Sequence, residues 1–453
     1  MNDWLNKKEL RSEFVRILIL HLMAGLFLLL ILSACAGNKP YEINLMPAPD
    51  VYEKGKIDPF SDTNPIKKIP YSGILYATDR LPTTGEKHFY LNQRGHVLRL
   101  GVGRIDVGPE DISWEEARRI SLLKNRTEKY PLRLAGVEEY GILPESFTVF
   151  NPTELKAADV DKAAARFAAA VNEKLAISKR RDIYIYVHGF KVVFENPLLV
   201  ATELWHFLGY DGVFIAYAWP STPSNLAYIS DAETAALSSR NLRKLLIYLA
   251  ENTDAERIHI VGYSAGTRVV VLALDQLALQ NTDVTKADVK QTLRLGHVIL
   301  VGSDFDREIF GAYLDEGLLK VPTTLSVYVS DKDKALGISR WLFRRERLGQ
   351  MPKDRNIDPA VRDYLRNTEG LVFIDVTNAA AAATGNGHAY FRKSPWASSD
   401  ILTTLMYDLR PNQRGLVQDS QLPLWTFPED YIQRLRDVLI EANPDLRLQF
   451  DAN

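Results

Sequence analysis

The sequence predicts an α/β protein: a mostly parallel central sheet with helices on both faces. Three observations carry this. Short apolar runs such as Ile183-Tyr-Ile-Tyr-Val187, Val213-Phe-Ile-Ala-Tyr-Ala218 and Ile258-His-Ile-Val261 lack the alternation of half-exposed strands, as expected of strands covered on both sides. Helical stretches separate them, giving the strand-helix rhythm of parallel sheets. Residues with chemical potential follow the strand ends, where right-handed crossovers gather the active edge of such a sheet.

Taken in order, Lys7, Lys8, Arg11 and Arg16 precede an apolar stretch from about Ile17 to Leu32, then Leu32-Ser-Ala-Cys35. This resembles a bacterial lipoprotein signal, cut before Cys35, with that cysteine acylated. A transmembrane anchor is the alternative. About sixteen helical residues reach about 24 Å, short of the roughly 30 Å hydrocarbon core unless flanking residues help. The resemblance implies a signal peptide over 1–34 and a lipid-anchored protein of the bacterial cell envelope. Ala36 after the cysteine favours outer-membrane sorting on the periplasmic face. Residues 35–70, rich in Pro, Asn, Asp and Lys, read as a tether.

Ile74-Leu-Tyr-Ala-Thr78 and His96 to Val107 read as strands opening the sheet. Gly101-Val-Gly103 lacks the third glycine and following helix of a phosphate loop. Helices are expected over 155–177, 198–208 and 232–250, with strands at 183–187, 213–218, 258–261, 296–301, 324–329 and 371–376. Residues 337–369 interrupt the rhythm with Arg340, Arg344, Arg345, Arg347, Lys353 and Arg355 beside Trp341-Leu-Phe343. They read as a helical insertion, either a solvated one or a cap over the site. The body is expected over 71–400, with 401–453 as a C-terminal extension carrying a helix at 430–442.

Net charge is −2 and no long basic tract exists, so the footprint of a nucleic-acid binder is missing. The single cysteine excludes intrachain disulfides and multi-thiolate metal sites. No His-Glu-x-x-His pattern occurs, and neither a cofactor nor a catalytic metal is expected.

Gly262-Tyr-Ser264-Ala-Gly266 joins the strand at 258–261 to a helix beginning near Thr267. This strand-turn-helix setting is that of a nucleophile elbow, where Ser264 is held strained and Gly262 and Gly266 relieve collisions. A serine hydroxyl needs a base, and eight histidines compete for that role. His21 lies in the signal, His259 and His297 in strands, His206 on a helix, and His88 and His96 before the sheet centre. His188 opens His188-Gly189-Phe190 directly after a strand, the place of an oxyanion-hole turn, so the expected amide donors are those of Phe190 and Ala265. His388, in the glycine-rich Thr384-Gly-Asn-Gly-His388, remains as base. Asp333 is favoured as the orienting acid, with Asp331, Asp304 and Asp306 left open. The chain order Ser264, Asp333, His388 is that of an α/β-hydrolase.

Seven ordered blocks then carry a family resemblance: Tyr76-Ala-Thr-Asp-Arg80, Val187-His-Gly-Phe190, Ala218-Trp-Pro-Ser221, Gly262-Tyr-Ser-Ala-Gly266, Ser303-Asp-Phe-Asp306, Ser330-Asp-Lys-Asp-Lys-Ala-Leu336 and Gly387-His-Ala-Tyr-Phe391. Together they resemble a bacterial α/β-hydrolase family of largely uncharacterised, esterase- or lipase-like proteins. The resemblance implies the α/β-hydrolase fold and Ser264, Asp333 and His388 as triad. The expected function is a membrane-tethered serine hydrolase acting on a small-molecule or lipid ester. A non-catalytic envelope lipoprotein using the fold as a binding module, or an acyltransferase, are the other readings. Protein partners, acyl chain length and oligomeric state are left unassigned.

Overall fold

Consecutive side chains of a strand point to opposite faces, so an unbroken run of buried residues marks a strand covered on both. The central strands show this: β5 (Asp182–Val187), β6 (Val213–Tyr217) and β8 (Leu295–Val301) are buried at every position. The structure is a computed structural model and describes residues 41–442 except 56, 61, 72, 84–88, 110–111, 152–159, 225–226 and 352–357. The expected signal and Cys35 lie outside the described residues.

The remaining strands are β1 (Glu42–Asn44), β2 (Ile74–Pro82), β3 (Tyr90–Val107), β4 (Pro131–Ile142), β7 (Arg257–Tyr263), β9 (Thr324–Val329), β10 (Leu371–Asp375), β11 (Val417–Gln418) and β12 (Trp425–Thr426). They form one twelve-stranded sheet in the order β1-β4-β3-β2-β6-β5-β7-β8-β9-β10-β12-β11. From β2 through β12 the neighbours run parallel. Antiparallel pairs close both edges: β1, β4, β3 and β2 on one side, β11 with β12 on the other. The parallel arrangement places the carboxyl ends of β5, β7, β8, β9 and β10 on one edge, followed by His188, Ser264, Gly302, Ser330 and Val376.

Three boundaries differ from expectation. Residues 35–70 are not a free tether throughout, because β1 pairs with β4 and Leu45, Met46, Val51, Tyr52 and Phe60 are buried. The Glu203 carboxylate accepts the Met46 N–H while holding Arg392, fixing this segment to the helix Glu195–Phe207. Residues 401–442 are not an appendage either. The helix Pro395–Tyr407 crosses the expected boundary, β12 extends the sheet beside β10, and Asp400 forms a buried ion pair with Arg414 at 2.7 Å. The described residues from Glu42 onward form a single unit.

The expected insertion over 337–369 is partly built into the body. It holds the end of the helix Lys334–Phe343 and all of the helix Pro359–Asn367. Between them, Leu348 N–H donates to Phe305 O at 2.9 Å, Gly349 N–H to Ser303 O at 2.9 Å, and Ser330 N–H to Gly349 O at 3.1 Å. This stretch therefore sits between the turns after β8 and β9. Other residues face away, among them Trp341 at 78% exposure, and the helix Pro359–Asn367 buries none of its residues. Gly101 and Gly103 lie within β3, paired with β2 and β4.

Candidate active site

Ser264 follows β7 directly and precedes the helix Gly266–Gln280. Its φ of 53° is left-handed, a conformation that costs an L-residue about 1–2 kcal/mol and turns the side chain out of the sheet. The reversal is tight enough to exclude a side chain at Gly266, where a Cβ would stand 2.2 Å from His188 O and 2.6 Å from Val187 O. Gly262 faces Val270 across the same strand-helix contact.

His388 comes to Ser264 from 124 residues later, with Nε2 2.8 Å from Ser264 Oγ. Its Nδ1 lies 2.6 Å from Asp333 Oδ2. A carboxylate only accepts, so Nδ1 carries the proton and Nε2 is free to take one from the serine. Asp333 and His388 are 3% and 9% exposed, which keeps water from competing for the acid. The other carboxylate oxygen, Oδ1, accepts the Leu336 N–H at 3.0 Å and so caps the helix Lys334–Phe343. Asp333 is thus fixed from both sides.

The competing acids have other places. Asp331 is exposed, with its N–H donating to Thr377 Oγ1 at 3.0 Å. Asp306 caps the helix Arg307–Asp315 through the N–H groups of Glu308 and Ile309. Asp304 is buried and pairs with Arg268 at 3.0 Å. Among the other histidines, His206 bonds Ser121 and Tyr210, while His259 and His297 stack near the amino ends of β7 and β8. His96 lies in β3, and His21 and His88 fall outside the described residues.

The turn His188-Gly189-Phe190 lies against the serine, since a Cβ at Gly189 would be 2.8 Å from Ser264 Cβ. His188 is no second base. Its ring stacks on Trp219 at 5.3 Å, with Nδ1 2.7 Å from Gly189 O and Nε2 2.9 Å from Trp219 O. Burial, then the neighbouring Arg80 charge, push its pKa down to about 3. Phe190 packs edge-on against Tyr228 at 4.8 Å, which steadies the turn from outside. The turn bearing Phe190 thus lies beside Ser264, which Ala265 follows in the chain.

Sequence reasoning left three supporting residues unassigned. Arg80 closes the first of the seven blocks but had no role from sequence. It is fully buried, and its Nη2 donates to Val192 O at 2.8 Å and approaches His188 Nε2 at 3.5 Å, bracing the Phe190 turn from behind. Gly302, with φ of 54°, passes under the imidazole, where a Cβ would meet His388 Cε1 at 3.1 Å and Nδ1 at 3.2 Å. Tyr390 Oη accepts the Gly302 N–H at 2.6 Å and donates to Tyr328 O at 3.0 Å, locking that bend. Only contacts across the fold reveal these roles.

A mostly parallel sheet with a left-handed serine between strand and helix, and an acid and a histidine following later strands in that order, defines an α/β hydrolase. The chain belongs to the family described as alpha/beta hydrolase of unknown function (DUF900), whose model matches residues 163–405, more than half of the protein. Among curated proteins and among solved structures, nothing is similar enough to match it. The matched span begins within the helix Val160–Ala176, takes in Ser264, Asp333 and His388, and ends within the helix Pro395–Tyr407.

Proposed function

We propose that the protein is a serine hydrolase that cleaves carboxylic esters through an acyl-enzyme. The observation that carries this reading is the continuous line Ser264 Oγ, His388 Nε2, His388 Nδ1, Asp333 Oδ2, with separations of 2.8 and 2.6 Å. Ser264 Oγ attacks the ester carbonyl while its proton passes to His388 Nε2, and Asp333 stabilises the imidazolium. The amides of Ala265 and Phe190 receive the oxyanion, each such donor contributing about 3–4 kcal/mol to the transition state. Collapse breaks the ester C–O bond, and His388 returns its proton to the leaving alkoxide. Water, deprotonated by His388, then releases the acid and regenerates Ser264. The resemblance of the Cys35 region to a lipoprotein signal supports adding to this reading a lipid anchor at that cysteine, which would hold this chemistry at a bacterial envelope membrane.

Turnover of a chromogenic short-chain ester tests the reading. Wild type is expected to hydrolyse it, and Ser264→Ala to lose about 10⁴- to 10⁶-fold in kcat with its fold intact. Equal rates for the two proteins would remove Ser264 from the reaction.

A further inference from the structure

A cavity of about 330 Å³ lies between the helices Arg307–Asp315 and Pro359–Asn367, over β9 and β10. Its wall is apolar, with Phe310, Leu314, Val329, Leu348, Met351 and Phe373 among its residues. Among the described residues, Arg307 and Gln350 are the only polar side chains in it. Arg307 Nη2 is occupied by the carbonyls of Arg347 and Gln350, at 3.2 and 2.6 Å. Gln350 Oε1 is buried and has no hydrogen-bond partner among the described residues. A buried acceptor left without a donor is costly, so it calls for a partner. None of Ser264, Asp333, His388, Phe190 and Ala265 belongs to the wall.

Gly311 stands in the interior of the helix Arg307–Asp315, where glycine lowers stability relative to alanine. Neither sterics nor the backbone asks for it: a Cβ there would meet nothing within 4 Å, and its φ is not in the left-handed region. What its missing side chain leaves is room at the border of the cavity. Another part of the wall adjoins the catalytic edge. Leu348, Gln350 and Met351 line the cavity, while Gly349 among them lies against the turn after β8. Its N–H donates to Ser303 O at 2.9 Å, and a Cβ on it would stand 2.8 Å from Gly302 C. Gly302 is the residue that passes under His388.

We propose that this cavity binds a small molecule built as an aliphatic chain ending in a hydrogen-bond donor, distinct from the molecule that Ser264 attacks, and that its occupancy steadies the Gly302 turn. An apolar cavity of about 150 Å³ takes up benzene, so by proportion this one holds roughly a dozen heavy atoms. That suits a chain of medium length. The chain covers the apolar wall, and its donor satisfies Gln350 Oε1. Packed against Leu348 and Met351, it restrains the stretch that holds Gly349 against Gly302. The effect on turnover rests on the reading of Ser264 as nucleophile. The binding does not.

Calorimetric titration of the full chain carrying Ser264→Ala with butanamide, hexanamide and octanamide tests the site without turnover. Affinity is expected to rise roughly fourfold per added methylene, as burial of apolar chain requires. Gln350→Leu is expected to weaken octanamide about threefold by removing the acceptor, and an unchanged affinity overturns the donor assignment. Gly311→Phe, which fills the border, and Val361→Asp, which puts a charge in the wall, are each expected to weaken octanamide about tenfold. Both leave the fold room. The Gly311 Cβ is unobstructed, and Val361 is 49% exposed on the first turn of its helix, where an acidic residue is favourable. No binding in Ser264→Ala, an affinity indifferent to chain length, or one that neither variant weakens overturns the site. In protein with Ser264 intact, saturating octanamide is expected to raise kcat for the short-chain ester about twofold or more, and not in Val361→Asp. Competition at the nucleophile would raise KM instead. An unchanged kcat with binding intact overturns the coupling to Gly302, while binding without any ester turnover leaves the site standing and refutes the nucleophile.

Discussion

Gly302 decides how closely His388 can approach its partners. Its left-handed φ and the 3.1 Å that a Cβ would leave to the imidazole mean that even a methyl group must push the ring or the backbone aside. A displacement of about 1 Å in a catalytic group can cost on the order of 10²-fold. Gly302→Ala is therefore expected to lower ester kcat by about 10- to 100-fold, with a stability cost of about 1 kcal/mol for the backbone. Steady-state kinetics beside chemical denaturation checks this, and wild-type kcat in a folded Gly302→Ala protein would show that the ring is not positioned from beneath. At this scale the sequence exposed Ser264 well, because strand, glycines and helix surround it locally. It ranked Asp333 above Asp304 and Asp306 but could not decide among them, since all follow strands; hydrogen bonds to His388, Arg268 and a helix cap separate the three. Arg80 and Gly302 were illegible because their partners, Val192 and His388, are about a hundred residues away.

The segment from Glu42 to Phe60 shows how an element can hide. Its larger buried apolar residues, Ile43, Leu45, Met46, Val51, Tyr52, Ile57 and Phe60, follow neither a two- nor a 3.6-residue period, and Pro, Asp and Lys lie between them. The composition resembles a linker, yet the chain packs along the Glu203 helix and adds a strand to the sheet. Burying Leu45, Met46, Val51 and Tyr52 contributes about 1.5–3 kcal/mol each as an upper bound. That total rivals the whole stability of a typical domain, about 5–15 kcal/mol. A chain beginning at Thr63 is accordingly expected to unfold at much lower denaturant than one beginning at Glu42, or not to fold. Coincident unfolding midpoints would return the segment to the role of tether. Removing it would also strip Met46 from Glu203, whose Arg392 partner lies four residues past His388.

Across the whole molecule, legibility followed burial. β5, β6, β7, β8 and β9 announce themselves as mostly apolar, almost wholly buried runs because helices cover both faces. The edge elements did not. β4 is mostly half-exposed and mixes charges with glycines, and β11 and β12 are two residues long, so their identity depends on the neighbours they pair with. The same sheet delivers function: parallel strands bring the turns bearing His188, Ser264, Gly302 and Asp333, and the loop bearing His388, to a single edge. The central claim is that this edge assembles an activated serine. Labelling the full chain with a fluorophosphonate probe, and locating the adduct by peptide mass spectrometry, tests it most directly. The account predicts a single adduct on Ser264 in wild type, absent in Ser264→Ala and slowed by orders of magnitude in His388→Ala. A folded wild-type protein that takes no label, or one labelled equally fast without His388, would contradict it.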